Sequence, residues 1–315
     1  MRASARVFAQ RGNMQFWWLI PIVLLACAVE GFAVYLLRYK NTLSLILVTV
    51  IAAFVMGYKT FEFAGYRIQG VAEYPIEFSH ISYFVFGTIV LLGLRRLYGL
   101  AGYCATLTGL GNVIALCASP DSMIEGFRSG GYFALSIILH NLMLFGGVLL
   151  LCNSVKFRIK DIWTAFLAIA LICAFAQLVN AGLIYSDIDY KDSIVILKIM
   201  DGRIFEYVVP PEKLTVAGKV IGCIVLFLAV CGSVVLYYWG NNKIYARKEK
   251  LAEQKGIDIS CKKIGIIPLV VCIAGKIGER KKALKDAQDS TSQSSGQDVS
   301  DESVKEKDGL NNTDE

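Results

Sequence analysis

Two histidines, His80 and His140, stand in a strongly apolar chain, and each has a serine close by. Ser79 adjoins His80, and Ser136 lies four residues before His140. Glu77, Asn112, Asn141, Gln177 and Asn180 are the other polar residues set into the apolar stretches around them. Together these types could supply a nucleophile, a base to take its proton, and hydrogen-bond donors for an oxyanion. His140 is the candidate base and Ser79 the candidate nucleophile. His80, Asn112, Gln177 and Asn180 could orient or stabilise, and Glu77 could tune His80. The spacings Glu77/His80, Gln177/Asn180 and Ser136/His140 would put each pair on one helix face. Ser79 would point about 100° away from His80. The competing reading is that these groups only bond helices to one another, as amides, imidazoles and hydroxyls do in membrane bundles.

The elements that must position these residues are transmembrane helices. Of the 315 residues 55% are hydrophobic and 18% charged, and the apolar residues are gathered into long runs. Runs of about 20 residues match the thickness of a bilayer. Spans are expected near Phe16–Leu37, Thr42–Tyr58, Pro75–Leu94, Leu97–Ala118, Gly131–Cys152, Ile162–Tyr185 and Val216–Trp239. Counted from the outer span ends, His80 and Asn180 lie roughly 8 Å deep, Asn112 roughly 9 Å, Gln177 roughly 12 Å and His140 roughly 14 Å. Four helices thus bring polar groups to one layer in the outer half. Glu30 lies in the inner half of the first span, as a neutral carboxylic acid or a separate proton or ion site.

The expected fold is an all-α, polytopic transmembrane helix bundle of about seven spans. Arg38 and Lys40, Arg95 and Arg96, Lys156 to Lys160, and Lys243 to Lys250 all fall on one side of it, which the positive-inside rule makes cytoplasmic. The N-terminus is then outside, with Arg2, Arg6 and Arg11 as the discordant signal. The start resembles a signal peptide, but the apolar run continues to Leu37, so an uncleaved first helix is expected. The net charge of +6 is a topology signal and not a nucleic-acid surface. Nine cysteines without a CxxC pair, and only two histidines, give no metal-ligand spacing and no cofactor motif. Gly99, Gly102, Gly109 and Gly111 in the fourth span suit close helix packing. Ser193 to Met200 and Arg203 to Val209 flank Asp201-Gly202, which reads as a small extracytoplasmic β-hairpin at 193–209. The domain plan is a bundle over 1–240, a basic and partly interfacial cytoplasmic segment over 241–285, and a disordered tail over 286–315.

The stretch from Tyr74 to Tyr185 contains Pro75-Ile-Glu-Phe-Ser-His80 opening a span, Asn141 after His140, and Asn180-Ala-Gly-Leu-Ile-Tyr185 closing the next span. In these pieces it resembles the YwaF-like integral membrane family and its eukaryotic relatives, membrane acyltransferases that remodel phospholipids. Those relatives open the first of these spans with a Cys-His pair and carry a second histidine later. Here the pair reads Ser79-His80 and the later histidine is His140. The resemblance implies a lipid-active enzyme whose partners are membrane lipids. A transporter or solute-binding protein would use the same polar layer for recognition, but no duplicated halves with paired broken helices are visible. A scaffold would instead recruit a cytoplasmic partner through the basic segment and tail.

Overall fold

The computed structural model describes residues 17–70, 74–118, 120, 133–153, 156–185 and 215–255. The expected hairpin at 193–209, residues 256–285 of the basic segment and the tail lie outside these residues. Every regular element described is a helix, and there is no strand among the described residues. We label the helices α1 (Leu19–Leu37), α2 (Asn41–Ile68), α3 (Phe78–Leu91), α4 (Tyr98–Ala118), α5 (Phe133–Asn153), α6 (Ile159–Asn180) and α7 (Val216–Lys255). A short 3₁₀ turn, Arg95–Leu97, leads into α4. Six of these helices are long and apolar enough to cross a bilayer, and α3 is a shorter apolar helix. The chain is a multi-pass membrane protein on that ground.

Two helices run well past their apolar stretches. α2 continues beyond Tyr58 to Ile68, because Lys59 pairs with Glu62 one turn on, and Tyr66 donates to the same carboxylate. Intrahelical pairing of this kind keeps charged residues helical where hydropathy alone would end the span. α7 continues beyond Trp239 for the same reason, since its polar residues find partners on other helices. Conversely, α3 starts at Phe78 and not at Pro75. Glu77 is its N-cap, with extended backbone at φ −60° and ψ 145°, so Glu77 and His80 do not share a helix face. Buried Tyr74 and Ile76 lead up to it, packed on Ala176 and Val179 of α6. Tyr74 stacks on Tyr185 at 3.8 Å, with the Arg67 guanidinium 4.4 Å from the Tyr74 ring. That stack holds Tyr185 in the left-handed region at φ 54°, unusual for a residue with a side chain.

α5 is the centre of the bundle and packs on α4, α2, α1 and α7. Its contact with α4 is set by missing side chains. A Cβ on Gly109 would fall 2.5 Å from Leu144 Cβ and 2.6 Å from the His140 carbonyl oxygen. Gly147 of α5 is as tightly met by Thr106, and Gly102 by the Tyr237 hydroxyl. Gly99 packs against Phe157, whereas Gly111 meets nothing. α7 is different, with only 11% of its spanning window buried, so its surface is left to lipid.

All four basic segments gather at one end of the bundle, as the alternation of helices requires. Lys248 donates to the Cys152 carbonyl at 2.5 Å and to Asn153 Oδ1 at 2.7 Å. Asn153 Nδ2 donates to Ser44 Oγ at 3.0 Å, and Ser44 in turn to the Leu37 carbonyl. Asn241 accepts from Phe157 N–H and donates to the Leu151 carbonyl, both at 2.8 Å. The ammonium thus caps the carbonyl end of α5, where helices favour cations. Loosely packed α7 is fastened there at its polar end.

Candidate functional site

α5 contributes the best-defined group. His140 Nδ1 lies 2.7 Å from the Ser136 carbonyl oxygen and 3.4 Å from Ser136 Oγ. A carbonyl can only accept, so Nδ1 carries the hydrogen and neutral His140 presents Nε2 with a free lone pair. This is the tautomer a general base needs. The expected Ser136/His140 face holds, since the bond runs along one turn of the helix.

α3 supplies Tyr83, fully buried, whose ring meets the His140 imidazole edge-on with centroids 5.7 Å apart. One turn toward the start of the same helix, His80 packs edge-on against Phe63 of α2 at 5.2 Å. His80 and His140 are within electrostatic range of each other and both of Lys59. α2 supplies Lys59, only 7% exposed, bonded to Glu62 Oε2 at 2.5 Å and 5.3 Å from the centre of the Tyr83 ring. α4 supplies Thr108 and Asn112, both buried. They bracket Gly109, whose close approach to the His140 backbone sets this part of α4 beside the Ser136–His140 turn.

Four side chains of this layer keep unmet hydrogen-bonding capacity, and Asn141 does so on another face of α5. His80 Nδ1, the Tyr83 hydroxyl, Thr108 Oγ1, Asn112 Nδ2 and Asn141 Oδ1 are buried and have no partner among the described residues. Leaving such a group unpaired costs about 1–3 kcal/mol, so each is a position where a polar partner would stabilise the protein.

The layer differs from the one expected. Gln177 and Asn180 lie on the exposed face of α6 and not beside His140. Asn141 bonds the Ile137 carbonyl at 2.9 Å. It lies on the stripe with Ile137 and Leu144, which pack with Val23, Val113 and Leu116 toward α1. Glu30 of α1 also keeps one carboxyl oxygen, Oε2, buried and without a partner. Ser79 is half-buried at the start of α3 and makes no hydrogen bond to either imidazole among the described residues. Four contributors escaped the sequence reading: Lys59, Glu62, Tyr83 and Thr108. The signal for the first two was available as Lys59-x-x-Glu62 at helical spacing, directly after an apolar run and flanked by Tyr58, Phe61, Phe63 and Tyr66.

No group of three or more His, Cys, Asp or Glu side chains could hold a metal ion among the described residues. The seven cysteines described are all free thiols. A shallow cleft lined by Gly99, Tyr103, Phe157, Val234 and Tyr237 lies between α4, α6 and α7, away from this layer. Compared with known proteins, the chain matches no family model, no curated protein and no solved structure.

Proposed function

We propose that the chain is a lipid-active membrane enzyme of the acyl-transferring type, working in the outer half of the bundle. One observation carries this reading: the Ser136 carbonyl fixes the His140 tautomer so that Nε2 is a ready proton acceptor inside an apolar bundle. His140 would take the proton of a hydroxyl as its oxygen attacks an acyl ester carbonyl. The proton would then pass to the departing alkoxide. Asn112 Nδ2 is a buried, unpaired donor for the oxyanion. The Ser79-His80 and His140 positions bring the resemblance to YwaF-like proteins and phospholipid-remodelling acyltransferases into the same reading.

The test is turnover by purified, monodisperse protein in lipid nanodiscs, with a fluorescent phospholipid as acyl donor and a lysophospholipid as acceptor. Time-dependent transfer of the labelled chain is expected. Ser79→Ala sorts the two candidate hydroxyls. Lost transfer assigns the attack to Ser79, and retained transfer assigns it to the acceptor lipid. No transfer with any donor, but saturable binding, would favour a solute-binding or transport protein, the reading that the buried Lys59–Glu62 pair supports.

The proposed orientation places the N-terminus outside and the basic end in the cytoplasm, where the segment from residue 241 onward could recruit a partner. In a background with the native cysteines replaced, a membrane-impermeant thiol reagent should label a cysteine at Gln69 in intact cells. One at Lys40 should react only after permeabilisation. The reverse pattern would move the site to the cytoplasmic leaflet.

A further inference from the structure

Donors outnumber acceptors on the α2–α3 side of the polar layer. Lys59 Nζ has three N–H groups and gives one to Glu62 Oε2, its one hydrogen bond among the described residues. Glu62 is already shared, since Tyr66 donates to its other oxygen at 3.4 Å. The Tyr83 hydroxyl and His80 Nδ1 are buried and unmatched. Tyr83 is 0% exposed and its ring centre is 5.3 Å from Lys59 Nζ, while His80 follows one turn away on the same face. A cation and two buried polar groups from two helices therefore hold hydrogen-bonding capacity that no described residue meets.

We propose that Lys59, Tyr83 and His80 form a recognition site for a phosphate oxyanion, the group shared by phospholipid headgroups and free phosphate. Phosphate has several acceptor oxygens in a tetrahedral array, so it can take hydrogen bonds from three directions at once and balance the ammonium. A lipid is the favoured source. The Glu62 side chain is 15% exposed, which puts the pair at an edge of the bundle, and the adjoining Phe61 is 83% exposed on the surface left to lipid. The inference rests on the lipid-active reading and adds to it a headgroup-phosphate site, with Lys59 as the specificity-determining residue.

The experiment measures binding without chemistry, using full-length protein in neutral nanodiscs. Fluorescent phosphatidic acid is the probe, diacylglycerol with the same chains is the comparison, and inorganic phosphate is the competitor. Wild type should prefer phosphatidic acid. The double variant Lys59→Met/Glu62→Gln, which strands no charge, should weaken it by about tenfold or more, the range of a hydrogen bond to a charged group. Tyr83→Phe keeps the ring and should weaken it by a smaller factor, and Lys59→Arg should recover most of the binding. Failure of inorganic phosphate to compete identifies the headgroup as the source, and competition at millimolar concentration identifies free phosphate. Equal affinity for diacylglycerol and phosphatidic acid, or equal affinity in wild type and the double variant, would overturn the inference. Lost turnover with intact phosphate preference refutes only the catalytic reading. Intact turnover without that preference refutes only the phosphate site.

Discussion

His140→Gln should give a folded, monodisperse protein whose turnover of phospholipid falls by at least about a hundredfold, the lower end of what a general base contributes. Glutamine fills similar space and can still donate to the Ser136 carbonyl through its amide. The change removes a basic lone pair and little else. Its effect on stability should be small, because the bond to Ser136 lies within α5 and even an interhelical one in a membrane protein is worth about 0.6 kcal/mol on average. The edge contact with Tyr83 adds about 0.5–1.5 kcal/mol at most. Chemistry and stability are read separately in this variant, the first by turnover and the second by the thermal midpoint. A thermal midpoint close to wild type with turnover nearly abolished is the expected pair of results. Wild-type turnover would remove His140 from the chemistry and leave the layer as interhelical bonding.

The second large effect concerns two glycines on one helix. Gly109→Ala should destabilise the bundle by about 1–3 kcal/mol, the usual range for overpacking. Its new Cβ would meet Leu144 Cβ at 2.5 Å and the His140 carbonyl at 2.6 Å, and backbone cannot move aside as a flexible side chain can. Gly111→Ala, two residues on, faces open space. Alanine is a better helix former than glycine by about 1 kcal/mol, so that variant should be neutral or stabilised. Opposite signs at the two positions, read by thermal or denaturant unfolding in one detergent, are the expected outcome. Gly109→Ala should also lower turnover, since pushing α4 away moves Asn112 from the Ser136–His140 turn. Equal stability of the two variants would mean that the α4–α5 approach is looser than described.

What the sequence made legible follows from how the bilayer acts as a solvent. Long apolar runs announce spans because lipid demands them, and the helical character of all seven segments was readable on that ground. The ends were not readable where polar residues are satisfied inside the helix. Lys59 and Glu62 look like a loop signal until their mutual pairing is known, and Asn241 and Lys248 look like a polar exit until their bonds to α5 are seen. Ser136 and His140 could be paired from spacing because their contact is local. Gln177 and Asn180 could not be placed, because a helix that is apolar all round has no stripe to say which face turns inward. Counting residues gives position along the axis, but rotation about the axis was invisible. Tyr83 gave no signal at all, since an aromatic residue in a membrane helix is ordinary until an imidazole is found against its edge.

α3 holds a further consequence in its length. Its 14 residues span about 21 Å, short of a hydrocarbon layer of about 30 Å. The non-helical residues from Tyr74 to Glu77 lead into it, with Ile76 N–H closing a turn on the Tyr74 carbonyl at 2.9 Å and Glu77 extended. Non-helical backbone leaves more of its amides and carbonyls unpaired than a helix does, so within a bilayer it persists only where protein shields it or water reaches it. Tyr185 and α6 shield one side of this stretch. The other side leads to His80 and, through it, to the Lys59–Glu62 pair. The shortfall in α3 is thus a dielectric feature as much as a geometric one. It carries interfacial polarity inward along one helix and lowers the solvation penalty of keeping an ion pair there.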